Sequence, residues 1–569
     1  MKHLIKILFF TAWFIPFFDT GLFIYPSLSH SLLWGVLSCF TLSLICLFII
    51  TKRDKLHYTN GIWIVILYIS YLIIHSFFIK TEYYRLYYYL SGFIYLLVVY
   101  YSCIEKYIIF STIKKLLIIG LLIQLTVILG QALQFLESKS PYFLVTGCCE
   151  NPNVTAMYIA LAIPFIADDI HNKRHIILFS GLLILSLAAL YLLNCRTAWL
   201  AIIVPFFIYG VRPIFNIIKI KSLQKTFIIL CFTFFVLFMS FLYQHKYDST
   251  NGRTLIWELS LKEIIHKPQG NGYGRFASVY NSLQSNYFRN ETSSATERQN
   301  ARYTAMAYND YLESGVDGGI GGMILHILLI FMFVIISYRQ RNKVTFSIFL
   351  MVSIMSCVNF FIISIQPWIV FLMVAGYTLS VQQQKVIVPI THRISCLLGI
   401  LFTLFICYKQ IQFIQGQYIL AKPQAKESNQ LLLVSDFIGT SEAYHRTVAQ
   451  YYTRKKDWKN AILHCDEALL YTSQPSIFQM KAHALLQENK IKEAEDVLQH
   501  LRYMIPTQLR CKHLLLQIYN KHQMTEKAHE IAHEILAVRP KILSQETIRI
   551  QKVAQEYLNH IHHDHKHDK

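Results

Sequence analysis

The chain has 569 residues, of which 54% are hydrophobic and only 15% are charged. A soluble protein of this length would carry about a quarter of its residues as charges. The deficit is confined to the part before about residue 408, a succession of apolar runs that a hydrophilic segment follows. This composition excludes a soluble enzyme, a disulfide-rich secreted scaffold and a disordered chain. It predicts an all-α protein, a polytopic membrane helix bundle with an appended soluble domain.

The net charge of +20 does not indicate nucleic-acid binding, because many Lys and Arg residues lie in short loops between apolar runs. The twelve cysteines are scattered, mostly within apolar runs, where they pack as small hydrophobes. The adjacent Cys148 and Cys149 do not have a metal-ligand spacing, and the histidine-rich C-terminus is typical of a solvated tail. We therefore expect no metal site and no nucleic-acid partner.

Thirteen apolar runs approach the roughly 20 residues that a membrane-spanning helix needs. They lie at about 4–24, 32–50, 61–78, 86–103, 116–136, 152–167, 176–193, 198–211, 226–243, 318–337, 344–363, 367–381 and 394–411. The first run resembles a signal peptide, but it contains Asp19 and lacks a clean cleavage site, so we interpret it as a retained span.

Loop charges predict the orientation of these spans. With a cytoplasmic N-terminus, seventeen Lys and Arg residues fall in inside loops, whereas the short outside loops contribute Lys80, Lys139 and Arg196. This is a strong positive-inside bias. The inside residues are Lys52, Arg53, Lys55, Lys106, Lys114, Lys115, Lys173, Arg174, Arg212, Lys219, Lys221, Lys225, Arg339, Arg341, Lys343, Lys385 and Arg393. An odd number of spans then places the C-terminal domain outside the cytoplasm, in a multi-pass protein of the bacterial inner membrane.

Residues 244–317 form an outside loop too long to be a simple connector, and such loops are usually functional. Within it, Leu255, Leu259, Ile264 and Ile265 recur at helical spacing, which predicts an amphipathic helix over 254–266. The glycine-rich stretch from Pro268 to Gly274 predicts turns.

The hydrophilic tail has an internal period. Ala461, Ala494 and Ala528 are spaced by 33 and 34 residues, and Pro506 and Pro540 close two of the units. This is the period of tetratricopeptide repeats, in which each unit is a pair of helices that stacks on the next. We expect such a surface to hold a peptide or a protein partner.

Polar and charged groups at the predicted outer face mark candidate chemistry. Arg196 lies between two spans, and Arg253 begins the predicted loop helix. Two guanidiniums on one side of the membrane would suit a diphosphate, because each offers a planar fork of donors to phosphate oxygens. Tyr308, Asn309, Asp310 and Glu313 precede a glycine-rich return to the membrane, which predicts a lid or seat for a site.

The order of these pieces resembles the O-antigen ligase superfamily, which includes lipopolysaccharide O-antigen ligases, related O-antigen polymerases and protein O-oligosaccharyltransferases. The resemblance covers roughly residues 140–380. It rests on Gly147 followed by Asn151, Pro152 and Asn153, and on the segments around Arg196 and Arg253. Its fourth piece is Tyr308-Asn309 followed after nine residues by Gly319 and then Gly322, which is similar to the ligases' pattern H-[NSQ]-x9-G-x-x-G.

The resemblance implies transfer of a glycan from undecaprenyl diphosphate to an acceptor hydroxyl outside the inner membrane, with no cofactor, no nucleotide sugar and no obligatory metal. It implies that Arg196 and Arg253 hold the diphosphate, and it places Tyr308, Asn309 and Asp310 in the catalytic region. The acceptor would be lipid A-core, a growing glycan or a protein. Tyr308 replaces the ligases' histidine, and a phenol with a reference pKa near 10 is a poor base at neutral pH. The proton acceptor is then Asp310 or Glu313, unless charge neutralisation by arginine suffices.

We expect three regions: N-terminal spans at 1–136, a ligase-like core at 137–413 and a repeat domain at 414–569. The alternative within the family is a polysaccharide polymerase. Alternatives of another class are a transporter of a lipid-linked glycan and a non-catalytic membrane scaffold. Thirteen spans with a periplasmic repeat domain favour the protein-glycosylating relatives over twelve-span ligases, by analogy of architecture.

Overall fold

The computed structural model describes residues 2–17, 26–52, 56–210, 247–290, 293–387, 389–422, 430–539 and 544–567, with two isolated residues between 211 and 246. The predicted span at 226–243, Asp19, Pro540 and the charges at Arg53, Lys55, Arg212, Lys219, Lys221 and Lys225 lie outside these residues. The described chain is almost entirely helical, which confirms the all-α class.

The helices of the first half are α1 (Lys2–Phe14), α2 (Pro26–Lys52), α3 (Ile62–Phe78), α4 (Tyr83–Ile104), α5 (Phe110–Ala132), α6 (Pro152–His171), α7 (Ile176–Leu193) and α8 (Arg196–Pro205). Those that follow are α9 (Tyr247–His266), α10 (Phe276–Arg289), α11 (Ala295–Asn300), α12 (Asp310–Arg339), α13 (Lys343–Val358), α14 (Ile365–Ser380) and α15 (Pro389–Ala421). The tail contains α16 (Gln430–Leu433), α17 (Ser435–Ile438), α18 (Glu442–Arg454), α19 (Trp458–Leu469), α20 (Pro475–Gln487), α21 (Ile491–Met504), α22 (Leu509–Lys521), α23 (Thr525–Ala537) and α24 (Gln545–His567).

Eleven of the thirteen predicted spans coincide with apolar helices. Seven helices of the described chain are long and apolar enough to cross a membrane, and four more apolar helices are shorter. The first predicted span corresponds to α1, which is 13 residues long. The polytopic membrane class is therefore confirmed, and the count of thirteen and the orientation stay predictions.

The chain forms two compact units, and the sequence of the large loop alternates between them. Unit 1 comprises Met1–His245, Lys267–Tyr273 and Ala307–Ala421. Unit 2 comprises Lys246–His266, Gly274–Met306 and Lys422–Lys569. Most of the 244–317 loop is thus grouped with the C-terminal tail, and only its central turn and its end are grouped with the membrane helices.

In unit 1, α2 packs along α4 and α15, and α4 packs on α14. Their interface is rich in aromatic side chains, such as Trp368 and Phe371, whose rings stack with centroids 5.0 Å apart. Two short strands, β1 (Leu56–Tyr58) and β2 (Lys385–Ile387), pair antiparallel. Their pairing brings together two loops that the charge pattern assigns to the same side of the membrane.

In unit 2, helices α18 to α23 form three successive pairs that pack on one another, and α24 packs on the last pair. Ala461, Ala494 and Ala528 are each fully buried at the fourth position of the second helix of their pair. Small side chains at this position let the paired helices approach closely, so the period in the sequence reflects a repeated structural unit. The assignment of this unit to the tetratricopeptide class stays a prediction.

Two boundaries in unit 1 differ from the prediction. Helix α12 begins at Asp310, eight residues before the predicted span. Helix α13 ends at Val358, and residues 359–364 are non-helical, although the predicted span continued to residue 363. The two places are connected, because the carboxylate of Asp310 accepts backbone N–H groups of this non-helical segment.

Candidate functional site

The start of α12 carries three buried acidic side chains on one face. Asp310, Glu313 and Asp317 are at most 4% exposed and follow one another at spacings of three and four residues, so they point in the same direction. Acidic groups at this depth in a membrane bundle are costly unless they are paired or functional. The face is therefore the first candidate site of unit 1.

Asp310 is engaged by backbone amides. Its Oδ2 accepts hydrogen bonds from the N–H groups of Phe361 and Ile362, at 3.1 and 3.2 Å. Irregular backbone inside a membrane protein requires such internal partners. The geometry gives Asp310 a structural role, since it stabilises the turn between α13 and α14.

Glu313 lies one turn further along the same face. Its Oε2 accepts the N–H of Ala307 at 3.0 Å. The guanidinium of Arg85, in the first turn of α4, is close enough to Glu313 and Asp317 to interact with both charges.

Arg85 is the functional candidate that the sequence reasoning missed. It lies in the aromatic run from Tyr83 to Tyr89, immediately before the predicted span at 86–103. It was therefore counted neither among the charges of the loops nor among the charges within the spans. A cation in the first turn of an apolar helix is itself a signal, because such a charge is rarely tolerated at membrane depth without a function.

Asn309 and Tyr308 precede this face. The Asn309 side chain caps α12, since its Oδ1 accepts the N–H groups of Tyr311 and Leu312 at 3.0 and 3.1 Å. Tyr308 has a positive φ of 53°, and its ring packs edge-on against Phe360, with centroids 5.8 Å apart. The position that the ligases fill with histidine therefore lies beside the non-helical 359–364 segment.

Gly319 and Gly322 let the turn 267–273 pack closely against α12. Gly319 has φ 68° and ψ −171°, which interrupts the helix, and the N–H of Ile320 donates to the carbonyl of Pro268 at 2.9 Å. The N–H of Gly272 donates to the carbonyl of Asp317 at 2.8 Å. A Cβ atom on Gly319 would lie 2.2 Å from the Pro268 oxygen, so only glycine fits. The predicted close approach thus involves a turn of the loop.

Tyr273 ends this turn and fills the space beside the glycines. Its hydroxyl would clash with a Cβ atom on Gly318 or Gly322, at 2.3 and 2.9 Å. Burial raises the pKa of the Tyr273 phenol well above its ordinary value. The phenol is therefore a neutral packing group, and it lies against α12 beside Gly318 and Gly322.

The Asn-Pro-Asn motif has a structural explanation. Asn151 caps α6, because its side chain accepts the N–H of Asn153 at 3.0 Å, and Pro152 occupies the first helical position. The preceding Gly147 has φ 70°, and its N–H donates to Gln131 Oε1 at 2.8 Å. These residues fix the path of the chain into α6.

The two predicted diphosphate-binding arginines belong to different units. Arg196 is the first residue of α8 in unit 1, directly after Asn194 and Cys195. Arg253 lies in the second turn of α9 in unit 2, and not at the helix start that the sequence predicts. Both side chains are partly buried. Their joint action on one ligand stays a prediction.

The predicted amphipathic helix is confirmed as α9. Leu255, Leu259 and Ile264 are buried, whereas Ile265, which the helical pattern included, is 75% exposed. Ile265 follows Ile264 by 100° around the helix and so leaves the buried face.

Comparison with protein families gives a match to the O-antigen ligase family over residues 181–327. The matched segment is about a quarter of the chain and contains Arg196, Arg253, Tyr308 and the acidic start of α12. A comparison with curated proteins gave no match. Residues 181–327 are thus similar to the O-antigen ligase family, and this match supports the resemblance seen in the sequence motifs.

Proposed function

We propose that the protein transfers a glycan from undecaprenyl diphosphate to an acceptor hydroxyl at the outer face of the inner membrane. The match of residues 181–327 to the O-antigen ligase family supports a membrane glycosyltransferase of this general type. The observation that carries the proposal is the single matched segment, because it contains two arginines suited to a diphosphate and an acidic face suited to an acceptor.

The arginines would act on the leaving group. The acceptor oxygen forms a bond to the anomeric carbon while the bond from that carbon to the diphosphate oxygen breaks. Undecaprenyl diphosphate then leaves with an additional negative charge, which guanidinium groups at Arg196 and Arg253 would stabilise through paired N–H donors.

Glu313 is the carboxylate that we assign to the acceptor proton. Oδ2 of Asp310 already accepts two backbone N–H groups, so this carboxylate has a structural task and is less available to an acceptor than Glu313. Glu313 accepts one backbone N–H and lies near Arg85. Arg85 would then balance the charge of the acidic face and orient Glu313.

The stacked helix pairs of unit 2 support a role in binding the acceptor or a protein partner, since such arrays present a continuous surface. The acceptor is lipid A-core, a glycan or a protein hydroxyl. Comparing surface lipopolysaccharide, polysaccharide chain length and glycoproteins between a deletion strain and its complemented parent separates these three acceptors.

The central test uses Arg196→Ala and Arg253→Ala. We expect each variant to insert normally and to lose transfer by at least about 100-fold, the typical effect of removing one charge-stabilising donor. Arg339→Ala and Lys262→Ala are matched controls, because both remove an exposed cation, the latter from α9 itself. Near-normal transfer by both arginine variants would eliminate the proposed diphosphate site.

A further inference from the structure

A cleft of about 410 Å³ lies within unit 2 beside the arginine of the family match. Gly252 and Thr254, the two neighbours of Arg253, form part of its wall. The opposite walls include Gln284 of α10 and Thr296 and Asn300 of α11. The volume is in the range of small-molecule sites, about 300–1,000 Å³.

Hydrogen bonds hold the walls of this cleft in place. Gln284 Nε2 donates to the carbonyl of Arg302 at 3.1 Å, and its Oε1 accepts the hydroxyl of Tyr280 at 2.8 Å. Both side chains are at most 2% exposed. Thr304 is fixed to Asn281 by two hydrogen bonds, at 2.7 and 3.0 Å. The cleft is therefore formed before any ligand arrives.

A second set of contacts stabilises helix α11, which forms one wall of the cleft. Ser294 and Glu297 make a capping box, in which each side chain bonds the backbone N–H of the other. Tyr287 also donates to Glu297 at 3.2 Å. A six-residue helix would not be stable alone, so these contacts maintain the wall that carries Thr296 and Asn300.

The lining is suited to a neutral ligand with many hydroxyl groups. Half of the residues that line it have a hydroxyl or amide side chain, and the charged side chains that contribute are Glu258, Glu297 and Arg302. The apolar part of the lining comes from Leu255, Ile256 and Ala301. Two carboxylates against one cation disfavour an anion. The polar half of the lining disfavours a lipid chain, and the apolar residues suit the C–H faces of a sugar ring. Sugar hydroxyls donate and accept hydrogen bonds together, which is the pattern that hydroxyl, amide and carboxylate groups match.

We infer that this cleft is a glycan subsite, which binds uncharged sugar residues of the lipid-linked glycan while its diphosphate lies at Arg253. The inference rests on the proposed function and extends it. It explains why the segment around Arg253 belongs to a folded unit of the loop, since one helix then presents the cation and the adjoining wall of the sugar site.

The experiment installs a photo-crosslinking amino acid at Asn300, inside the cleft, or at its neighbour Gln299, which does not line the cleft. The full-length protein in detergent is irradiated with undecaprenyl-diphosphate-linked glycan extracted from its own host. We expect glycan mass on the 300 variant only. We also expect lipid-free glycan released from the same donor to compete. Cross-linking at neither position, or equally at both, would overturn the subsite.

Filling the cleft gives an independent readout. We expect Asn300→Trp to raise the donor KM at least tenfold with unchanged folded yield, and Gln299→Trp to leave it unchanged. An unaltered KM in Asn300→Trp contradicts the subsite. The arginine variants measured in parallel separate the two proposals. If the proposed function fails, Arg196→Ala and Arg253→Ala stay active whatever the cross-linking. If only the subsite fails, they are inactive and position 300 gives no cross-link.

Discussion

Gly270 and Gly319 contact each other through their backbones, with no space for a side chain on either. A Cβ atom on Gly270 would lie 2.3 Å from the Gly319 nitrogen, and both residues have positive φ values, of 82° and 68°. This contact fixes the turn 267–273 of the loop to the interruption in α12. It connects the loop to the acidic face through unit 1 alone.

We expect Gly319→Ala to destabilise unit 1, because alanine meets both an unfavourable φ and the carbonyl of Pro268. A strained backbone costs on the order of 1–3 kcal/mol, and the steric overlap adds to it. The measurement is the thermal midpoint and the yield in detergent. Gly181→Ala is the control, since a Cβ atom there meets nothing within 4 Å. Equal behaviour of the two variants would show that the turn is not held as described.

Substitutions at Asp310 and at Glu313 should have different effects on transfer activity and on stability. We expect Asp310→Asn to keep most of the transfer activity, because an amide oxygen still accepts the N–H groups of Phe361 and Ile362. Asp310→Ala leaves those two groups unsatisfied, at a cost of about 1–3 kcal/mol each in stability.

Glu313→Gln keeps the shape of the side chain and removes its capacity to take a proton. We expect a loss of transfer of about 100-fold or more with unchanged stability, measured with purified donor and acceptor. The reverse pattern, with Asp310→Asn inactive and Glu313→Gln active, would move the base to Asp310.

The stability of unit 2 should depend on pH through His464. Burial and the adjacent His445, whose Nδ1 lies 3.0 Å from His464 Nδ1, lower the pKa of His464 to about 4. The unfolded chain, with a pKa near 6.5, binds this proton more readily, so the stabilisation is present above pH 6.5 and is lost as the pH falls to 4. Tyr444 and Tyr452 also face this ring, and Glu467 partly offsets the shift.

The measurement compares the unfolding temperatures of the full-length protein and His464→Gln between pH 4 and 7.5. We expect the wild type to lose up to about 2–3 kcal/mol more than the variant across this range. If the unfolding temperatures of the two proteins changed equally with pH, the pH dependence would come from other groups.

Removing the C-terminal tail should prevent the large loop from folding. Gln284 Nε2 donates to the carbonyl of Met504 at 2.7 Å, and Ser285 Oγ donates to that of His500 at 2.8 Å, so α10 packs directly on α21. We expect deletion of residues 422–569 to abolish transfer and to expose the loop to proteases. A protein with a protease site inserted at 423–429, cut after folding, is the control and should stay active. Full transfer by the truncated protein would show that the loop folds without the tail.

Much of the membrane architecture could be predicted, because apolar length is a strong signal and eleven spans matched apolar helices. The period of Ala461, Ala494 and Ala528 likewise marked the helix pairs. The start of α12 could not be predicted, because Asp310 is stabilised inside the bundle by amides fifty residues away in the chain. Arg85 was missed for a related reason: its neighbours Glu313 and Asp317 are distant in sequence, and only folding brings them together.

The packing of α10 on α21 also sets an order of assembly. About two hundred residues separate these helices, and the ten helices from α11 to α20 are synthesised before α21 appears. At 5–20 residues per second this interval lasts about 10–40 s. During that time Gln284 and Ser285 of α10 lack the carbonyl groups of Met504 and His500 to which they donate in the finished protein. A nascent chain halted after its last membrane helix would therefore present α10 without its partner helix to chaperones and proteases, which would give the cell a means to remove incomplete copies.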